Sequence, residues 1–176
     1  MRKLITILAA IFVLQSCNSL YFTSSQPQDG SVLKQFPNHL LGSFASETED
    51  TLVVKSTSFI FRGGEAVNLS GDITPKGCVL KQIDDWYIIS LQDGEEWEVF
   101  PVKVTGKDNF TVYFMDLEEN EEKRVITGLK KKMEVQKIFA EDGSFDHYLI
   151  NPSSSQFIEM LKDNLFTEEM DFERIK

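Results

Sequence analysis

Cysteine and histidine are scarce here, two of each in 176 residues. That shortage excludes several kinds of chemistry. No Cys/His pair has the spacing of a zinc site. Neither His39 nor His147 stands close in sequence to Cys78, and no Gly-x-Ser-x-Gly elbow is present. Arg62-Gly63-Gly64-Glu65 lacks the Gly-Lys-Ser/Thr end of a phosphate loop, so its glycines read as turn residues. Basic charge is also short: 18 Lys and Arg face 28 Asp and Glu, a net charge of −10. Such a surface repels nucleic acid, whose binding rests on cations that neutralise phosphates. The acidic run Asp116, Glu118, Glu119, Asn120, Glu121 and Glu122 fails as an EF-hand, because its sixth residue is Glu121 and its twelfth Thr127. It reads as a solvated hairpin loop, Glu118 to Arg124. The chain is therefore expected to be no enzyme and to carry no metal and no cofactor.

What is present begins at the N-terminus. Arg2 and Lys3 precede an apolar run from Leu4 to Leu14. The run is too short for a bilayer span, which needs about 20 residues, and fits the core of a signal peptide. Leu14-Gln15-Ser16-Cys17 follows. This segment resembles the lipobox of bacterial lipoproteins, with Gln15 at the tolerant position. The resemblance implies recognition of Leu14, Gln15 and Ser16 by signal peptidase II, cleavage before Cys17, and a diacylglyceryl group on the Cys17 sulfur. It covers about a tenth of the chain. Without Arg2 and Lys3, 16 basic residues face 28 acidic ones, a balance of −12. A domain so charged is repelled by anionic headgroups, and a covalent anchor removes that problem. Stable anchoring takes about two acyl chains.

The mature chain divides into the lipidated Cys17 with a flexible tether to Ser31, and one domain over residues 32–176. Asn18 to Ser31 is rich in Ser, Gln and Asn and holds Pro27 and Asp29-Gly30; as a coil it would reach about 20 Å. Leu20-Tyr21-Phe22 is its apolar exception, suited to the headgroup layer or to a first strand. Val32 to Leu41 predicts a helical turn broken by Pro37, then a strand at Gly42–Ala45.

Short strands follow at Leu52–Lys55, Phe59–Phe61, Cys78–Ile83, Trp86–Leu91, Trp97–Val104, Phe110–Leu117, Lys132–Phe139 and Phe145–Ile150, separated by polar turns. Asp93-Gly94 and Asp142-Gly143 are hairpin signals. Pro101 places its strand segment at an edge or bulge. Ser153 caps a helix whose Phe157, Ile158, Leu161 and Leu165 share one face. The expected class is mainly β (α+β), an antiparallel meander sheet or small barrel with one C-terminal helix packed on it. Cys78 reads as a small buried apolar residue, His147 as a satisfied residue of a sheet face, and Lys130-Lys131-Lys132 as a solvated edge.

Leu41-Gly42-Ser43-Phe44 resembles the Gly-x-Trp start of lipocalin-type barrels, with Phe in place of Trp. That resemblance implies a cavity for an apolar ligand. Two functions are therefore expected of an exported domain anchored to a bacterial membrane, the outer membrane where the host has one. One is a non-catalytic accessory lipoprotein whose partner is another envelope protein. The other is a lipocalin-like carrier of a hydrophobic ligand.

Overall fold

The computed structural model describes residues 19–64, 68–115, 117 and 119–175. The expected signal peptide, Cys17 and the expected lipobox residues Leu14, Gln15 and Ser16 lie outside them. Among the described residues the chain forms β1 (Ser19–Phe22), β2 (Ser31–Leu33), a 3-10 turn (Asn38–Leu40), β3 (Gly42–Ala45), β4 (Thr51–Val54), β5 (Ser58–Arg62) and β6 (Asn68–Asp72). Then come β7 (Cys78–Ile83), β8 (Trp86–Asp93), β9 (Glu96–Val104), β10 (Asn109–Phe114) and α1 (Glu119–Lys130). The chain ends with β11 (Val135–Phe139), β12 (Phe145–Ile150), α2 (Ser154–Lys162) and β13 (Glu168–Arg174). No described helix is long and apolar enough to cross a membrane.

The protein is mainly β, a curled antiparallel half-barrel with two helices. β7 to β10 form a meander, β13 pairs with β10, and β3 to β6 continue from β13. The sheet curls until the end of β6 meets the start of β7 at the single bridge Ile73–Cys78. Gly71 makes this approach possible. A Cβ there would lie 2.7 Å from the Phe59 ring and 3.1 Å from Cys78 Cβ.

Alternation along the strands gives the sheet two apolar faces. Phe44, Leu52, Phe59, Leu80, Val102, Phe110 and Phe172 line the inside of the curl. Ile88 and Val99 face outward and are covered by α1, α2, β1 and β12. The helices thus close one face while the curl encloses the other.

Three expectations are corrected. The segment from Asn18 to Ser31 is no tether over its described residues. β1 runs parallel to β12 (Ser19 opposite His147, Phe22 opposite Ile150) and meets β9 at Trp97. Leu20 and Phe22 are buried in the helical core, so they do not reach a headgroup layer. Gln26 and Pro27 are buried as well. The Lys81 ammonium, itself buried, donates to the Ser25 and Pro27 carbonyls at 2.9 and 2.8 Å and pins the segment to β7. Polar composition hides this because the bonds use backbone carbonyls, which every residue owns.

The second correction concerns the acidic loop. Glu119–Lys130 is a helix, so the C-terminal helix is one of two. Val125, Ile126 and Leu129 bury its inner side. Lys130 in its last turn complements the helix dipole. Third, the lysine run is no strand edge. Lys130 ends α1, and Lys132 pairs with Glu159 (3.1 Å) and Asp163 (2.8 Å) beside α2.

Other expectations hold. Ser153 caps α2 in a reciprocal capping box with Gln156. Pro101 lies where the outer edge of β9 changes partner, between the residues that pair with β10 (Val102 to Lys103 and Val104) and Trp97, which pairs with β1. A missing N–H costs no ladder bond across that gap.

Candidate functional site: an apolar cavity

The inner face of the curl is not filled. It encloses a cavity of about 340 Å³, within the usual span of ligand pockets. Each wall strand contributes alternate residues: Tyr87 and Ile89 from β8, Phe100 and Val102 from β9, Phe110, Val112 and Phe114 from β10. Among the described residues no charged side chain lines it, and Asn68 and the Tyr87 hydroxyl are its polar elements. Deep positions such as Phe36, Leu40 and Leu80 are buried, whereas Phe61, Leu69, Phe100 and Phe114 are half-exposed and form a rim.

Aromatic packing holds the floor. Phe110 stands edge-on to Phe44 at 4.8 Å and stacks on Phe172 at 5.5 Å. Below them Arg174 fastens the base. Its guanidinium lies 4.6 Å from the Phe44 ring centre. It donates to the carbonyls of Leu41 (2.6 Å) and His39 (2.8 Å) and to Asp108 (2.9 Å). One side chain thus ties β13 to the 3-10 turn and to the start of β10. Gly42, at φ +136°, leaves room for it, since a Cβ there would strike the guanidinium.

No family model, no curated protein and no solved structure matches this chain. The site is therefore argued from its own geometry.

The other candidates fall elsewhere. Cys78 is 1% exposed against Gly71 and the wall, and burial, then Asp72, pushes its thiol up to about 11. Such a thiol holds its proton and is a poor nucleophile. His147 sits between two carboxylates, with Nδ1 3.1 Å from Asp146 and Nε2 2.8 Å from Glu96. The second contact is close enough for an ion pair but lacks the angle of a hydrogen bond. The Tyr21 ring packs edge-on to the imidazole at 4.9 Å. His147 does not line the cavity. His39 ends up in the 3-10 turn, its ring 5.7 Å from Tyr87 and its carbonyl held by Arg174. Gly64 donates its N–H to Asp50 at 2.9 Å, so the glycine pair shapes a turn. Thr48, then Gly64 and Ser46, hydrogen-bond that carboxylate and hold it below its usual range. Among the described residues no three metal-binding side chains gather.

Apart from the cavity that the lipocalin resemblance implied, neither the hollow interior nor the Arg174 clasp was legible in the residue pattern. Alternation over β8 to β10 was visible, but it is the same for a filled and a hollow interior. Only the Gly42-x-Phe44 pattern pointed to this place.

Proposed function

We propose that this chain is an envelope lipoprotein, anchored through Cys17, whose half-barrel binds one apolar ligand such as an aliphatic chain. The observation that carries the reading is the cavity, uncharged and lined by apolar side chains from β4 to β10 and from β13. An interior left hollow forfeits packing contacts, so it needs a compensating role. The likeness to lipocalin-type barrels supports the same reading: Gly42-Ser43-Phe44 at a strand start, a meander curled around the space, and a helix near the C-terminus. This chain departs from that pattern in having Phe44 for Trp and a seam joined at the one bridge Ile73–Cys78. Ligand recognition here is by shape and desolvation, with Asn68 and Tyr87 as the polar residues of the lining.

The test is native mass spectrometry of the protein recovered from its own envelope, beside a Val112→Trp variant that fills the wall. The wild type should carry extra mass that leaves on denaturation, and the variant should not. A bare wild-type mass, with no apolar fluorescent probe taken up, would favour the accessory role and a search for a protein partner.

A further inference from the structure

The chain exposes three large apolar side chains among the described residues: Val32 (64%), Phe139 (57%) and Ile175 (48%). Phe139 is singled out by what lies beside it. It ends β11, an edge strand. Ile138 pairs with His147, and His147 pairs with Ser19. Strands lie about 4.8 Å apart, so this row is about 10 Å long. β12 runs parallel to β1, so the β11–β12 turn and the start of β1 share one end of the sheet. Two residues span at most about 7 Å, which bounds the distance from Ser19 back to Cys17.

We propose that Phe139 and the β11–β12 turn form a membrane-contact surface, seated in the interfacial layer of the bilayer that holds the Cys17 lipid. The proposal rests on the lipoprotein reading of Cys17. With β1 built into the sheet, the anchor has little slack, and this end of the domain is held against the lipid surface. Its chemistry suits that place. The Phe139 ring meets Phe145 edge-on at 6.2 Å, and the Lys137 ammonium lies 5.3 Å from the Phe145 ring. An exposed Phe ring with a long cationic side chain beside it suits the boundary between headgroups and acyl chains. Exposed Glu141, Asp142 and Asp146 surround them, so the surface fits zwitterionic rather than anionic headgroups. One ring would not hold a free protein to a membrane. Beside a covalent anchor the contact is intramolecular, and a weak interaction then sets orientation. Val32 serves as the contrast, since it lies on β2, which pairs with β7 on the far side of β8 and β9.

The experiment uses the lipidated protein in vesicles of phosphatidylethanolamine and phosphatidylcholine, with a nitroxide on Phe139→Cys or on Val32→Cys. Cys78, at 1% exposure, stays unlabelled. At position 139 the label should meet oxygen more often, and a water-soluble nickel chelate less often, than at position 32. Equal access of the chelate to both positions would overturn the contact. The intact mass of the same sample separates the two ideas. A lipid-bearing protein with an open position 139 sinks the contact surface alone. A Cys17 without lipid sinks the anchor and this proposal together.

Discussion

At the scale of single residues, the base of the half-barrel depends on Arg174. Its three polar contacts and its place over Phe44 cannot be reproduced by a shorter side chain. Arg174→Ala should lower unfolding free energy by roughly 2–4 kcal/mol, since hydrogen bonds involving charged groups contribute about 1.5–3 kcal/mol each and are not additive. Urea unfolding measures it, with exposed Lys55→Ala as a control near zero; equal midpoints would show that the clasp holds nothing. Tyr148 gives a pH prediction. Burial, then its hydrogen bond to Glu122, pushes the phenol up to about 12. The folded state therefore keeps this proton more tightly than the unfolded chain does. Its contribution is fully present below the free phenol value near 10 and is lost as pH rises from about 10 to about 12. A difference absorbance titration of wild type against Tyr148→Phe should place this ionisation near the upper value. Ionisation at the free value would show that the phenol is not buried against Glu122.

At the scale of elements, β1 decides where the domain begins. It fills the sheet between β12 and β9 and brings Leu20 and Phe22 into the helical core. Burying two such side chains contributes about 3–6 kcal/mol. That is comparable to the whole stability of an ordinary domain, about 5–15 kcal/mol. A chain starting at Ser31 should therefore lose its near-ultraviolet circular dichroism and its cooperative melt, whereas one starting at Asn18 keeps both. Retention of a sharp melt by the shorter chain would restore the tether reading. The same scale explains three segments that the sequence pattern does not reveal. α1 was hidden because its first turns are acidic and its apolar residues are few, so helix and loop look alike until Val125, Ile126 and Leu129 find a core. β6 and β13 were hidden because polar residues fill their outward positions and Gly71 stands within β6.

At the scale of the molecule, one sheet serves two interiors. Its outer face is packed by α1 and α2, and its inner face surrounds open space. The sequence by itself determined the β class, the meander from Cys78 to Phe114, the capped C-terminal helix and the acidic surface. These follow from local period, turn chemistry and charge, which are properties of neighbouring residues. Tertiary structure alone decided that Ser19–Phe22 joins the sheet and that Arg174 reaches the 3-10 turn. It also decided that the curl stays hollow. Each of those depends on segments far apart in the chain meeting in space. A hollow and a filled interior need the same alternation of apolar residues, so period cannot tell them apart; only the curvature of the sheet sets the space between its walls.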